Sequence, residues 1–91
     1  MDIRYEPDNH RVAAYEDAKE VGEAIYREAE DIWVLDCTCV DEPNKGRGIG
    51  GELVVALAGE ARKRGVKIIP LCPYAKRVFD TDASYADVRK H

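Results

Sequence analysis

The chain has 91 residues, 35% of them charged, with a formal net charge of −4. A domain of this size buries roughly 60–70% of its unfolded surface around one core, so residues 1–91 are expected to form a single domain. Plentiful aliphatics beside that charge exclude a disordered chain. With no run of about 18 apolar residues and no apolar leader, neither a membrane span nor a signal peptide is read.

The charge is uneven. Residues 1–42 hold thirteen Asp/Glu against four Lys/Arg and residues 43–91 five against ten, so the halves carry −9 and +5. The second half favours an anionic ligand and the first a cationic partner such as an amine. No basic stripe is interleaved with aromatics, which argues against nucleic acid as a partner. Cys37, Cys39 and Cys72 are an odd number in a chain without an export signal, so reduced thiols and a cytoplasmic location are expected. A zinc site would have to draw on Cys72, His10 and His91 beside the Cys37/Cys39 pair, and no metal is expected.

In chain order, Asp2 to Glu6 is short and mixed, and Pro7-Asp8-Asn9 reads as a turn. His10 to Glu16 reads as a strand, with Val12 and Ala14 on one side and Ala13 and Tyr15 on the other. Asp17 to Glu20 is a polar tetrad of hairpin size, and Val21 to Glu28 is a second strand. Good helix formers make helix the competing reading for residues 16–30, but Gly22 and the spacing of turn signals favour strand. After a tight turn at Glu30-Asp31, Ile32 to Val40 is the strongest strand, dense in β-branched and aromatic residues. Strict alternation gives it a core face of Trp33, Leu35, Cys37 and Cys39. Its other face then carries Ile32, Val34, Asp36, Thr38 and Val40.

Asp41 to Asn44 leads into Lys45-Gly46-Arg47-Gly48-Ile49-Gly50-Gly51, a glycine-dense turn that opens into an amphipathic run. Ile49, Leu53, Leu57 and Ala61, with Val54 and Ala58 beside them, form one apolar stripe on a helix over Ile49–Arg64. Glu52 in its first turn and Arg62, Lys63 and Arg64 in its last agree with the helix dipole, and Gly65 suits the position just past its end. Val66 to Leu71 is a short buried strand. Pro73 suits the first position of a second helix over Pro73–Phe79, which makes Cys72 its N-cap. Thr81 to Ser84 is a loop, Tyr85 to Arg89 a final helical turn, and Lys90-His91 a frayed end.

The glycine turn is neither the nucleotide P-loop, whose Gly-Lys-Ser/Thr ending it lacks, nor the dinucleotide fingerprint. Its physical reading is an anion cradle: amides from Arg47 to Gly51 at a helix N-terminus, with Lys45 and Arg47 adding positive charge. Lys67, Lys76 and Arg77 could reach a terminal phosphate. A thiol at a helix N-cap has its thiolate favoured, which makes Cys72 a candidate for reactivity. Buried, unreactive packing is the competing reading. His10 has no partner that would make it a general base.

These residues resemble the GCN5-related N-acetyltransferases, whose acetyl-CoA loop reads Gln/Arg-x-x-Gly-x-Gly/Ala. Here the matching stretch is Lys45 to Gly50, with Lys45 in place of Gln or Arg. The chain is most similar to the small single-domain branch, which joins a loop starting from a valine, here Val40, to a Leu-Cys-Pro-Tyr/Phe segment, here Leu71-Cys72-Pro73-Tyr74. Residues 82–88 resemble that branch's ending, and the likeness spans about residues 10–89.

The resemblance implies an α+β fold, a mainly antiparallel sheet packed against a central helix and a short C-terminal helix. It implies acetyl-CoA or coenzyme A as cofactor, with pyrophosphate on residues 46–51 and pantetheine beside Ile32–Val40. Val40, Lys45, Gly46, Arg47, Gly48, Ile49, Gly50, Gly51, Cys72, Tyr74, Lys76 and Arg77 are then the cofactor-binding candidates. The activity implied is acetyl transfer to an amine, small molecule or peptide, by direct attack or through Cys72. Asp36, Glu23 and the Cys72 thiolate are the candidates for a base, Asp36 and Cys72 foremost. Where the branch often carries His-Thr this chain has Cys37-Thr38: if that histidine relays protons this chain lacks the relay, and if it only packs the cysteine is a smaller substitute. A non-catalytic CoA-binding or interaction module is the alternative, and a loop that binds nothing a further one. A monomer or weak homodimer is expected.

Overall fold

The computed structural model describes residues 1–90; His91 lies outside the described residues. Five strands form one sheet in the order β1-β2-β3-β4-β5. They are β1 (Asp2–Glu6), β2 (Arg11–Glu16), β3 (Lys19–Ala29), β4 (Ile32–Val40) and β5 (Lys67–Pro70), with α1 (Ile49–Arg64) and α2 (Pro73–Thr81). Strands β1 to β4 run antiparallel, and β5 joins β4 in parallel through the α1 crossover. The fold is α+β, as expected.

Helix never forms over residues 16–30. Asp17 and Ala18 both take positive φ (53° and 66°), and Glu16 pairs with Lys19 across them. The hairpin therefore turns on two residues rather than four, with the backbone twist that matches the flanking strands. The turn after β3 rests on Glu30 at φ 56°.

The core lies between α1 and one face of the sheet. Ile49, Leu53, Val54, Leu57, Ala58 and Ala61 are all buried on α1, and they pack on Val12, Ala14, Val21, Ala24, Tyr26, Trp33, Leu35 and Ile68. Gly22 allows this approach, since a Cβ there would sit 3.1 Å from Cys39 O and 3.3 Å from both Ile49 and Leu53. The helix ends as expected: Gly65 at φ 69°, its N–H donating to Arg62 O at 3.3 Å and the Val66 N–H to Ala61 O at 3.0 Å.

Three expectations need correction. First, alternation along β4 breaks at Asp36. Ile25 pairs with Cys37 but Tyr26 with Leu35, so Asp36 is the extra residue of a β-bulge. Trp33 and Leu35 face the core as expected. Beyond the bulge it is Thr38 and Val40, not Cys37 and Cys39, that share their side. Second, Cys37 and Cys39 are joined in a disulfide, so Cys72 is the free cysteine. Alternate strand residues project to the same face, which brings the two sulfurs together. Third, the final turn is not a continuous helix over Tyr85–Arg89: it is a hydrogen-bonded turn in which the Val88 and Arg89 N–H groups both donate to Tyr85 O at 3.1 Å. A short 3-10 turn covers Ala83–Tyr85, after which Arg89 bridges to Ile68. The Ile68 N–H donates to Val88 O at 2.6 Å and the Lys90 N–H to Ile68 O at 2.8 Å, so residues 88–90 cover part of the outer edge of β5.

Candidate active site

The site arises where two parallel strands stop pairing. Register between β4 and β5 runs from Ile32/Lys67 to Leu35/Pro70 and ends there. Leu35 O accepts from the N–H groups of both Leu71 and Cys72, at 3.1 Å each, which turns the chain out of β5 and into α2. Strand β4 continues to Val40 along β3. The wedge left between them is a cleft of about 380 Å³ lined by Thr38, Val40, Lys45, Gly46, Gly48, Ile49, Gly50 and Tyr74.

Glycine shapes one wall of this cleft for two separate reasons. Gly46 and Gly48 hold φ of 86° and 81°, conformations that L side chains rarely adopt, with open space where a Cβ would go. Gly50 is small because of a neighbour: a Cβ there would lie 3.2 Å from the Tyr74 ring, and one on Gly51 would lie 3.5 Å from the Tyr74 hydroxyl. Tyr74 thus packs α2 onto the first turn of α1. Gly48 is the N-cap of α1 without a side-chain cap, and its carbonyl accepts from the Glu52 N–H at 3.1 Å. The first amides of the helix open beside the cleft, where a partial positive charge collects.

The expected cofactor residues divide between lining and rim. Val40, Lys45, Gly46, Gly48, Ile49, Gly50 and Tyr74 line the cleft together. Arg47 does not; its guanidinium holds Glu16 at 2.5 and 3.0 Å, and that contact keeps the Glu16 carboxyl below the usual range. Lys76 pairs with Asp80 at 3.0 Å, Arg77 is exposed on α2, and Lys67 donates to the carbonyl of Asp87 on another side of the molecule.

The base candidates lie elsewhere. Asp36 sits on the sheet face away from α1, bound through both oxygens by Arg27 at 2.6 and 3.1 Å, and the Arg27 hydrogen bond holds its carboxyl below the ordinary value. Glu23 shares that face and accepts from Arg11 at 2.8 Å. Arg11 also reaches Glu6 at 2.7 Å and Glu20 at 2.9 Å, so three carboxylates of the acidic half gather on one guanidinium. Among the described residues, no carboxylate and no imidazole line the cleft.

Cys72 is the N-cap of α2 and only 6% exposed. Burial pushes its thiol up. The backbone of Ala75, the hydroxyl and backbone of Thr38 and the backbone of Tyr74 outweigh that and bring it below the ordinary value. Sequence alternation placed Thr38 away from the core; the bulge is the feature that turns it to the side of Trp33 and Leu35. Nothing in the apolar/polar pattern announces such an insertion. Among the described residues no group of three or more His, Cys, Asp or Glu could hold a metal ion, and no helix is long and apolar enough to cross a membrane.

The fold has clear counterparts. A GCN5-like protein from Staphylococcus aureus matches over 98% of this chain and 87% of its own, at 26% identity and a TM-score of 0.77. Ribosomal-protein-alanine N-acetyltransferase from Brucella melitensis shares the fold over 77% of this chain and 57% of its own, at 21% identity and a TM-score of 0.68. N-acetylglutamate synthase from Neisseria gonorrhoeae, complexed with coenzyme A and N-acetyl-glutamate, shares it over 78% of this chain and 18% of its own (19% identity, TM-score 0.66). The chain thus spans little more than half of the Brucella enzyme and a small part of the Neisseria one. No curated protein matches it. The family model described as GCN5-related N-acetyl-transferase matches residues 11–88. The chain belongs to the GCN5-related N-acetyltransferase family.

Proposed function

We propose that this protein transfers the acetyl group of acetyl-CoA to a primary amine. The observation that carries the reading is the cleft itself: a wedge between β4 and α2 whose floor is the uncapped first turn of α1 and whose wall is the glycine turn. An elongated ligand with a diphosphate would set that group against Gly46, Gly48 and Gly50, where amides and the dipole favour negative charge. Lys45 on the rim adds a cation. The remainder of the cofactor would run along Thr38 and Val40, with its thioester toward Cys72.

The amine would attack the thioester carbonyl directly. The protein would supply orientation and strand N–H groups for the developing oxyanion. Asp36, held ionised by Arg27 on the opposite sheet face, is assigned to steadying the bulge rather than to proton transfer. Cys72 is buried and outside the cleft lining, so direct attack without a covalent cysteine step is the simpler route.

The test has two parts. Acetyl-CoA added to labelled protein should shift the amides of residues 46–51 together with those of Cys72 and Tyr74. Release of free thiol from acetyl-CoA should then depend on one member of an amine panel. A second reading, a module that binds CoA without turnover, is favoured by a cleft lining that among the described residues holds no carboxylate or imidazole. Amide shifts without thiol release across the whole panel would establish it. No amide shifts at all would sink both.

A further inference from the structure

One covalent bond in the molecule does little for the fold. The Cys37–Cys39 disulfide joins residues two apart on one strand, and the stabilisation a bridge gives through the unfolded chain grows with the loop it closes. Here that loop holds a single residue, Thr38. The bridge is also within reach of solvent, since Cys39 is exposed and Cys37 half-buried. Exposed bridges are the ones that exchange readily with thiols. Thr38 lies on the other side of the strand and lines the cleft. Its Oγ1 is buried without a hydrogen-bond partner, the one such side-chain atom among the described residues, which is a cost to the bridged form. The Cα atoms of Cys37 and Cys39 stand 6.0 Å apart, whereas two strand residues so spaced ordinarily stand about 6.6–6.8 Å apart. The bridge thus shortens the strand at the residue that reaches the cleft.

We propose that Cys37 and Cys39 are a reversible redox pair whose state sets the shape of the cleft at Thr38. The co-reactant is a small dithiol. One of its thiolates attacks the exposed Cys39 sulfur, and the Cys37 sulfur leaves with the electron pair of the broken S–S bond and takes up a proton. The second thiolate then attacks the dithiol sulfur now bound to Cys39, and Cys39 leaves as a thiolate that is protonated in turn. The protein gains two electrons and two protons, and the dithiol becomes a cyclic disulfide. An oxidised dithiol taken through the same steps in reverse closes the bridge again. With the bridge open, the strand regains its full rise and the Thr38 hydroxyl is free to turn to a partner. The wall that Thr38 and Val40 give the cleft is then no longer held. With the bridge closed, that wall is fixed before a ligand arrives, which favours binding.

The folded protein carries its own control, because Cys72 is only 6% exposed. A dithiol added under native conditions, then an alkylating reagent and intact mass, should place labels on Cys37 and Cys39 while Cys72 stays unlabelled until urea is added. The amides of Thr38 and Val40 should shift between the oxidised and reduced proteins and return on reoxidation. Acetyl-CoA is the probe of the cleft, on the acetyl-transfer reading above. It should bind the oxidised protein more tightly by about fivefold, the lower end of usual coupling between two sites. The double variant Cys37→Ser/Cys39→Ser should bind as the reduced protein does, with or without dithiol; if it does not fold, Cys39→Ser makes the same comparison. Equal affinity for the two redox forms would overturn the proposal, as would labelling of Cys37 and Cys39 only after unfolding. Failure of both forms to bind acetyl-CoA would instead strike the acetyl-transfer reading. The Thr38 and Val40 amides would then decide the redox pair, and coincident shifts in the two forms would overturn it.

Discussion

At Gly48 the backbone holds φ of 81° with nothing near the place of a Cβ, whereas at Gly50 the φ is ordinary and the Tyr74 ring stands 3.2 Å from that place. Alanine should therefore act differently at the two sites. Gly48→Ala pays for a left-handed conformation, about 1–2 kcal/mol, and should lower the melting temperature by roughly 4–8 °C per kcal/mol in a domain of this size. Gly50→Ala has to move Tyr74, so it should shift the Tyr74 ring resonances and weaken acetyl-CoA binding as well as lowering stability by about 1–3 kcal/mol. A Gly50→Ala protein whose Tyr74 signals are unchanged would contradict the packing described. The cysteines give a second prediction at this scale. Unfolded protein without reductant should show one titratable thiol, Cys72, and three after reduction, as counted with a thiol reagent.

The α1 helix was legible at the scale of the element because three independent signals agreed: the apolar stripe from Ile49 to Ala61, Glu52 and the basic last turn, and Gly65 at the end. All of them are local, so a sequence carries them whole. The bulge at Asp36 is not local, since it exists only in the pairing of β4 with β3. Alternation read from one strand therefore placed Trp33 and Leu35 correctly and reversed everything after them. The bridge from Arg89 to Ile68 was missed for the same reason, being a contact between residues distant in sequence. The bulge also explains why the lining at Val40, Lys45, Gly46, Gly48, Ile49, Gly50 and Tyr74 could be anticipated while Thr38 could not. Helix-to-sheet packing yields its own test. Gly22→Ala would press on Cys39 O, Ile49 and Leu53 at once, and backbone carbonyls do not yield like side-chain ends. It should cost about 1–3 kcal/mol in chemical denaturation, against about 2–5 kcal/mol for Leu57→Ala, which empties the middle of the stripe.

For the molecule as a whole, most ion pairs stay within one half of the sequence, and Lys45–Glu42 and Arg47–Glu16 bridge the acidic and basic halves. Arg11 gathers Glu6, Glu20 and Glu23, Arg27 takes Asp36, and Arg47 carries the positive half across to Glu16. The carboxyls of Glu6, Glu16, Asp36, Asp80 and Asp87 all lie below their ordinary values, chiefly because side-chain hydrogen bonds hold their ionised forms. Folded pKa values below the unfolded ones mean that the folded state binds fewer protons through this range. Their contribution is therefore present above the ordinary carboxylate range, about pH 4–5, and lost as pH falls through the lower folded values. The urea midpoint should hold between about pH 6 and pH 8 and fall steeply toward about pH 3. Glu6→Gln, which removes the charge and one of the two oxygens that accept from Arg11 and Tyr15, should lower the midpoint at neutral pH and converge on the unmodified protein in acid. A difference that persists unchanged at low pH would show that Glu6 acts by packing alone.

The bulge at Asp36 works like a frameshift in the side-chain code of β4. One inserted residue leaves the strand's composition untouched and reassigns every position after it, so that a hydroxyl and a valine face the cleft while two sulfurs face away. Deleting Asp36 alone would remove the bulge and keep every later pairing, since Leu35 would stay opposite Tyr26 and Cys37 opposite Ile25. Thr38 and Val40 would still face the cleft, and Cys37 and Cys39 would still face away. Flattening the bulge with Asp36 retained is the change that would turn the two sulfurs inward.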